Sequence, residues 1–406
     1  MRKKLQFIDF KILIPYIVLN IIGIIMIFSA SSYKLDQQGK NAFSIATKQG
    51  IFFVISLILI AIIYKTKIRV YQTDMFQKIM LGVTYVLLVA TSLLGLGKTI
   101  SGAQRWISIG GFSFQPSEFV MISTILYCSY IFSKRQQSIN QNFKQTMMIP
   151  TLIIGGMIAL VLIQPNVGGA AIIFFLFAVM VLSSGIPAGY TFLSFGGLVV
   201  FIGFVWQIVM FNGGMLIPER FSHVYKRFSV MSNPFEDKLN NGFQLVNSYF
   251  AIYNGGWFGK GLGRSIQKKG FLPVAETDFI FSITMEELGL IASLIILMIL
   301  FFLILRILSI GIRSTNAFNS LACIGISTAI LLQLFVNLGG ILSIMPMTGV
   351  PFPFMSYGGS NLMTLSILIG IALNISAEEK RNALYRKLPM TTPTKQKQLV
   401  NKMPNE

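Results

Sequence analysis

Long apolar runs alternate with short polar segments along almost the whole chain. The runs are about 15 to 25 residues long, and a helix needs about 20 mostly apolar residues to cross a bilayer. Ten runs qualify as spans, at residues 12–30, 46–64, 79–96, 112–132, 148–163, 167–184, 187–210, 279–305, 318–342 and 359–375. The pattern therefore predicts an all-α polytopic membrane protein with ten transmembrane helices.

Basic residues are concentrated on one side of these spans. Lysine and arginine mark the cytoplasmic side of a membrane protein when they are counted in its short loops. They precede the first predicted span, follow the second, fourth and eighth, and recur after the tenth. Because ten spans put both termini on the same side, both termini are predicted to be cytoplasmic. The long segment at residues 211–278, between spans 7 and 8, is then extracytoplasmic.

Composition narrows the range of functions. The chain of 406 residues is 54% hydrophobic and 12% charged, with a formal net charge of +19. The basic residues are spread over loop edges without interleaved aromatic residues, so nucleic-acid binding is not expected. Anionic lipid headgroups are the expected counterions. Cys128 and Cys323 lie in apolar spans, which supports neither a disulfide framework nor a metal site.

The span pattern also sets the domain organisation. We expect one transmembrane domain at residues 1–376, which includes the extracytoplasmic segment at about 211–278. Residues 377–406 are polar, basic and proline-containing. This composition predicts a flexible cytoplasmic tail.

A cluster of polar residues with a tryptophan lies between spans 3 and 4, on the predicted extracytoplasmic side. Arg105 and Trp106 precede a Phe-Gln-Pro-Ser-Glu stretch that ends in Glu118. Pro116 and Glu118 suit the first turn of a helix, and tryptophan suits a membrane interface. The same residues would also suit a substrate cavity, with Arg105 and Glu118 facing it. The two interpretations have equal weight.

Two further polar segments interrupt the apolar sequence. Residues 164–169, Gln-Pro-Asn-Val-Gly-Gly, predict a tight turn. Residues 345–360 hold three prolines and three glycines among apolar neighbours, so they predict irregular backbone folded back into the protein, where it can line a cavity. Ser356 lies in this segment. Gln333 and Asn337, on one face of the preceding span, predict interhelical packing or cavity lining.

The long external segment is rich in cations. Between residues 219 and 269 the basic residues are Arg220, Lys226, Arg227, Lys238, Lys260, Arg264, Lys268 and Lys269, against Glu219, Glu236 and Asp237. An excess of cations outside the membrane would suit recognition of a phosphate or pyrophosphate group. A solvated charged loop is the equally weighted alternative.

Carboxylates mark the mouth and the body of span 8. Asp278 stands where the chain re-enters apolar sequence, and Glu286 and Glu287 lie about two helical turns further on. These residues could serve catalysis. They could equally serve structure, with Thr277 as N-cap, Asp278 in the first turn, and a glutamate paired with an arginine.

Seven motifs carry a family resemblance, in order over nearly the whole chain. They are GAQRWISIG with FQPSEF, QPNVGG, NGFQLVNSYFAIYNGGWFGKGLG, LPVAETDFIFSITMEELG, and NLGG with PMTGVPFPFMSYGGS. Together they resemble the SEDS family of bacterial cell-wall glycosyltransferases. The NLGG and SIQKKGFLP stretches resemble its division members more than its elongation members.

The resemblance implies polymerisation of lipid II, an undecaprenyl-pyrophosphate-linked disaccharide-pentapeptide, outside the bacterial cytoplasmic membrane. It implies that Asp278 is the essential acid. The candidate substrate contacts, from the resemblance and the loop charges together, are Arg105, Trp106, Glu118, Arg227, Gln244, Ser248, Lys260, Lys269 and Ser356, with Glu286, Glu287, Gln333 and Asn337 as structural or cavity residues. Met121 and Asn166 depart from the family pattern, which commonly has lysine and aspartate there.

The resemblance also implies partners, a class B penicillin-binding protein and other proteins of the division machinery. Its alternatives are a lipid II flippase, an elongation-type polymerase and a non-enzymatic scaffold. Sugar transfer with inversion needs one base near the acceptor hydroxyl, and the pyrophosphate leaving group needs only cationic stabilisation. The sequence leaves open whether a divalent cation, Mg²⁺ or Mn²⁺, assists, because no metal-ligand spacing is present.

Overall fold

The computed structural model describes residues 4–92, 98–100, 103–109, 112–136, 139, 142–186, 189, 196–197, 203, 207, 222–236 and 242–387. The fold is mostly helical. Its described helices are α1 (Phe10–Gln37), α2 (Ser44–Lys65), α3 (Ile68–Tyr71), α4 (Asp74–Ser92), α5 (Pro116–Lys134), α6 (Phe143–Ile163), α7 (Val167–Leu182), α8 (Ser222–Ser232), α9 (Phe243–Gly255), α10 (Ile280–Arg313), α11 (Ala317–Ile341) and α12 (Gly359–Lys387), with a short 3-10 turn at Leu5–Phe7.

Seven described helices are long and apolar enough to cross a membrane, and these are α1, α2, α4, α6, α10, α11 and α12. Two more predicted spans coincide with helices of another kind. Helix α7 has only 16 residues, and α5 carries several polar side chains. The predicted span at 187–210 lies almost wholly outside the described residues.

A small β-sheet occurs where only helices and loops were predicted. Strands β1 (Lys98–Ile100), β2 (Ala103–Ile109) and β3 (Phe112–Phe114) form an antiparallel sheet in the order β1-β2-β3. The apolar run predicted as the start of span 4 at residue 112 is therefore a strand, and α5 begins at Pro116. A short apolar run is compatible with a strand as well as with a helix, so the hydrophobic pattern alone did not distinguish the two structures.

Helices α5, α11 and α12 form the interior of the bundle. Most of their residues are buried, whereas α2 and α4 keep much of their surface exposed, as lipid-facing helices do. Helix α12 packs along α2 and α11, while α10 lies between α1, α9 and α11. The last helix continues to Lys387, eleven residues past the boundary at 376 where the tail was predicted to begin.

Helix α10 is interrupted at Gly289, whose backbone (φ 80°, ψ 175°) is not helical. A break inside a helix leaves backbone groups without their usual partners. The loop after α9 supplies new partners: Lys260 N–H donates to the Glu286 carbonyl at 2.9 Å, and Leu290 N–H donates to the Gly256 carbonyl at 2.9 Å. The loop and the broken helix are therefore one hydrogen-bonded unit.

The contact at this break requires glycine. A Cβ built on Gly289 would lie 2.3 Å from the backbone nitrogen of Gly259, which is closer than carbon and nitrogen can approach. The positive φ of Gly289 independently disfavours any residue with a side chain.

The segment between α11 and α12, residues 342–358, is irregular, as its prolines and glycines predict. Val350 and residues 352–356 are buried, so this segment folds back into the bundle. Irregular backbone is tolerated at membrane depth where it is covered by protein or lines a cavity.

Candidate active site

Asp278 lines a cavity of about 170 Å³ just before the start of α10. Four parts of the chain meet there. Helix α8 contributes Lys226 and Arg227, the start of α9 contributes Gln244, and the irregular segment contributes Met345, Met347 and Gly349. The side chain of Asp278 is partly buried. The cavity thus combines the carboxylate of Asp278 with the two cations of α8.

Arg227 interacts electrostatically with Asp278. Arg227 is exposed at the surface, yet packing around its guanidinium lowers the pKa, and the negative charge of Asp278 raises it. A guanidinium stays protonated throughout the physiological range. The cavity therefore keeps a permanent positive charge next to the carboxylate.

The backbone around Asp278 is fixed from two sides. Asn337 on α11 donates through Nδ2 to the Asp278 carbonyl at 2.9 Å and to the Val350 carbonyl at 2.8 Å. Ser356 donates through Oγ to the Thr277 carbonyl at 2.6 Å. The predicted cavity residue Asn337 and the predicted substrate contact Ser356 thus position the carboxylate-bearing segment, and Ser356 does so from a buried site.

The irregular segment also approaches the carboxylate directly. A Cβ built on Gly349, which has a φ of 75°, would lie 3.5 Å from Asp278 Oδ2. Phe352 N–H donates to Ser356 Oγ at 2.7 Å, which closes the turn that follows. The irregular segment that lines part of the cavity is therefore held by short hydrogen bonds.

The predicted N-cap role of Thr277 is wrong. Helix α10 begins at Ile280, and its N-cap position, Phe279, has no side-chain capping bond. The Thr277 hydroxyl donates instead to the Val274 carbonyl at 3.2 Å. The carbonyls of residues 277 and 278 accept bonds from Ser356 and Asn337, so Asp278 precedes the helix and is not part of its first turn.

Glu287 forms a buried ion pair with Lys268, at 2.8 Å between Oε1 and Nζ. The partner is a lysine where an arginine was predicted. Ser29 on α1 donates to the same carboxylate at 2.6 Å, and the backbone N–H groups of Gly263 and Ser265 donate at 3.0 and 3.2 Å. A carboxylate with this many donors is committed to structure.

Glu286 also holds the loop after α9 against α10 through hydrogen bonds. It accepts from the Ser265 hydroxyl and from the N–H groups of Ile266 and Gln267 at 3.1 and 3.3 Å. Lys260, a predicted substrate contact, lies 3.8 Å from Glu286 Oε1. The two glutamates therefore hold residues 260–268 against α10, and Lys260 belongs to that arrangement, not to the cavity of Asp278.

Three other predicted contacts also lie apart from the cavity lining. Lys269 lines a separate cavity of about 450 Å³ beside Tyr33 and Asp36 of α1. Ser248 is buried, and its hydroxyl lies 2.8 Å from that of Ser282, between α9 and α10. Glu118 accepts from the hydroxyl of Ser360, which joins α5 to the start of α12.

Trp106 lies in β2, paired with Lys98, and is partly buried. The backbone of Arg105 belongs to the same strand, and its side chain lies outside the described part of the structure. Gln333 donates to Asn361 at 3.0 Å, as an interhelical contact was predicted to do. Of the predicted substrate contacts, Arg227 and Gln244 join Asp278 in its cavity.

The two departures from the family pattern occupy structural positions. Asn166 accepts from Gly169 N–H at 3.1 Å as the N-cap of α7, and its amide donates to Ser117 at 3.1 Å. Met121 is buried in α5. An amide can both cap the helix and donate, which a carboxylate cannot do.

Sequence reasoning did not select Lys226, Met345 or Met347 for the cavity. Lys226 was one of eight loop cations, of which Arg227, Lys260 and Lys269 were selected, and nothing in the sequence shows which of the eight face one cavity. Among the described residues, no group of three or more His, Cys, Asp or Glu side chains is placed to hold a metal ion.

Comparison with known proteins identifies the family of this chain. A family profile described as "Cell cycle protein", for FtsW, RodA and SpoVE, matches residues 10–381. A protein of Lactococcus lactis named "Probable peptidoglycan glycosyltransferase FtsW" is 43% identical, over 93% of this chain and 94% of that protein. The protein of the same name in Enterococcus hirae is 40% identical, over 97% and 98%.

Solved structures share the fold. One, described as "Structural coordination of polymerization and crosslinking by a peptidoglycan synthase complex", superposes with a TM-score of 0.72 at 21% identity, over 92% of this chain and 98% of that one. The rod shape determining protein RodA of Thermus thermophilus gives a TM-score of 0.64 at 20% identity, over 92% and 97%. The chain therefore belongs to the FtsW, RodA and SpoVE family of cell cycle proteins, the SEDS family that its motifs resemble.

Proposed function

We propose that this chain is a peptidoglycan glycosyltransferase that polymerises lipid II on the outer face of the bacterial cytoplasmic membrane during cell division. The observation that carries the proposal is the cavity in which Asp278 meets Lys226 and Arg227. Relatives at 40% and 43% identity bear the FtsW glycosyltransferase name, and their matches extend over nearly the whole chain.

Asp278 acts in this proposal as general base. Its carboxylate takes the proton of the acceptor 4-hydroxyl while that oxygen bonds to C1 of the donor sugar, and the bond from C1 to the pyrophosphate oxygen breaks. An aspartate with an ordinary pKa of about 4 is a weak base for an alcohol, so proton transfer accompanies bond formation and does not precede it. Undecaprenyl pyrophosphate leaves as an anion.

Lys226 and Arg227 stabilise that anion. The leaving pyrophosphate needs no proton if cations lie where its charge develops, and Arg and Lys both recognise phosphate oxygens. Both cations come from α8, whereas the carboxylate comes from the segment before α10. The donor pyrophosphate and the acceptor hydroxyl can therefore meet between two elements of the extracytoplasmic segment.

The cavity of about 170 Å³ is smaller than either substrate, and its two cations, Lys226 and Arg227, are exposed. It is sized for the reacting groups, not for whole glycolipids. If a divalent cation takes part, Asp278 supplies one carboxylate and the pyrophosphate supplies further oxygens, which is how proteins commonly hold Mg²⁺.

The wider assignment includes ten spans with both termini in the cytoplasm, and a class B penicillin-binding protein as partner. It draws on the basic residues at the loop edges and on the fold shared with the peptidoglycan synthase complex. Other division proteins are further candidate partners.

Reconstitution tests this function. The full-length protein is placed in liposomes with purified lipid II, with and without a class B penicillin-binding protein, and in Mg²⁺, Mn²⁺ or EDTA. Glycan strands resolved on a gel are the expected product, with more of them when the partner is present. Lipid II that crosses the bilayer without any strand formation in every condition would contradict the polymerase and favour a flippase.

A further inference from the structure

A second cavity, of about 830 Å³, lies at the opposite end of the molecule from Asp278. Helix α1 shows this separation. The far end of α1 carries Lys34, whose ammonium donates to the Pro273 carbonyl at 3.2 Å, close to Asp278 in the chain. The second cavity is lined by residues before the start of α1, and 28 helical residues span about 42 Å.

The lining of this cavity is strongly cationic. Its charged members are Lys4, Lys65, Lys67, Arg69, Glu378 and Arg381, which is five cations and one carboxylate. They come from the turn before α1, the end of α2, the short helix α3 and the end of α12. Four separate elements thus direct like charges to one place.

These cations outnumber the carboxylates of the lining, where Glu378 is the one carboxylate among five cations. The ion pairs among the described residues join other side chains, and none includes Lys65, Lys67, Arg69 or Arg381. Like charges held together with too few counterions repel one another, at a cost that a bound anion would reduce.

Lys4 shows the repulsion most clearly. Its ammonium is fixed by two neutral acceptors, Asn374 Oδ1 at 2.8 Å and the Thr66 carbonyl at 3.2 Å. Burial and the nearby charge of Arg381 lower the pKa of Lys4, and Glu378 raises it. The ammonium is therefore held in place close to another cation, by groups that carry no negative charge.

We propose that this cavity binds the phosphate group of an anionic phospholipid in the cytoplasmic leaflet. The position favours a lipid over a soluble anion: the lining residues lie just before α1, at and just after the end of α2, and toward the end of α12, where these helices leave the bilayer. Basic pockets between transmembrane helices on the cytoplasmic side are a common form of headgroup site. Phe7, Ile68 and Tyr385 give the lining the apolar surface that adjoining lipid chains require.

Lipid binding to three purified full-length proteins tests the proposal. The wild type is compared with a Lys67→Glu, Arg69→Glu double variant and with a matched control, Lys78→Glu with Lys144→Glu, whose exposed cations lie outside the cavity but on the same predicted face. Each is titrated in neutral detergent with phosphatidylglycerol, phosphatidylcholine or inorganic phosphate. Bound lipid is counted by native mass spectrometry, and the rise in the thermal unfolding midpoint gives a second measure.

The wild type and the control are expected to prefer phosphatidylglycerol over phosphatidylcholine, and the double variant is expected to bind it at least about tenfold more weakly. A neutral pair, Lys67→Gln with Arg69→Gln, replaces the double variant if circular dichroism shows that the latter is unfolded. Equal binding by the control and the cavity variants would overturn the proposal, because it would reflect general surface charge. Inorganic phosphate binding as tightly as phosphatidylglycerol would also overturn it, in favour of a soluble ligand.

Discussion

Asn337 donates from its side-chain amide to the backbone carbonyl of Asp278 at 2.9 Å. The same nitrogen donates to the Val350 carbonyl at 2.8 Å. One side chain of α11 therefore joins the segment that carries the carboxylate to the irregular segment that lines part of its cavity. The position of Asp278 depends on this amide, although Asn337 is not itself one of the cavity-lining residues.

Replacement of Asn337 by leucine should therefore impair polymerisation by protein that remains folded. Two carbonyls lose their donor, at a cost of about 1–3 kcal/mol each where they stay buried, and the carboxylate is no longer fixed. We expect the rate of glycan-strand synthesis per folded protein to fall by about tenfold or more.

Gln333→Leu is the matched control for this change. Gln333 lies one turn earlier on α11 and donates to Asn361, so it has no bond to residue 278. Its loss should lower the thermal unfolding midpoint without a comparable loss of rate. An equal loss of rate in both variants would show that the effect of Asn337 comes from general packing.

Arg227→Ala should weaken catalysis through the leaving group. If its guanidinium stabilises the departing pyrophosphate, the turnover rate should fall by about a hundredfold, and Arg227→Lys should restore part of it. Turnover of purified lipid II measures both variants. Lys269→Ala, which removes a cation of the same segment between α7 and α10 but outside this cavity, should leave turnover nearly unchanged. A large loss with Lys269→Ala would move the phosphate site away from α8.

Lys268→Met should destabilise the fold strongly. It leaves Glu287 buried without its cation, and removal of one partner of a buried ion pair costs about 3–5 kcal/mol. Lys34→Met breaks a longer pair, at 3.5 Å to Glu276, in which the lysine is exposed. That change should cost less than about 1 kcal/mol. Thermal unfolding in detergent compares them, and equal midpoints would contradict a structural role for Glu287.

Gly289→Ala should separate the loop after α9 from the break in α10. Both Gly289 and Gly263 have a φ of 80°, so an alanine at either position introduces backbone strain that costs about 1–3 kcal/mol. Only at Gly289 does the added carbon also meet backbone, 2.3 Å away, whereas nothing lies within 4 Å at Gly263. Proteolysis of the loop should accelerate in Gly289→Ala well beyond Gly263→Ala. Similar rates would mean that the contact is not tight.

The helices of the bundle were predictable because bilayer crossing needs long apolar runs, and these are visible in one sequence. The predicted span 46–64, for example, matches α2 (Ser44–Lys65) within two residues at each end. The break at Gly289 was not predicted, because the backbone groups that form hydrogen bonds with it come from residues 256–261. The sequence around Gly289 does not indicate these partners.

The candidate site was predictable in part. Asp278 was found through its motif, and Arg227 and Gln244 do share its cavity. Lys260 and Lys269 carry the same charge as Arg227 and lie in the same segment between α7 and α10, yet one pairs with Glu286 and the other lies beside α1. Charge composition indicates that cations are available, and only tertiary structure decides which of them face the carboxylate.

The most direct test of the account is the polymerisation rate of Asp278→Asn in liposomes with purified lipid II. Asparagine keeps the shape of the side chain and removes its ability to accept a proton, so we expect a loss of at least about a hundredfold. Glu276→Gln, which removes a neighbouring carboxylate paired with Lys34, is the matched control and should stay close to the wild type. Wild-type strand synthesis by folded Asp278→Asn would contradict the account.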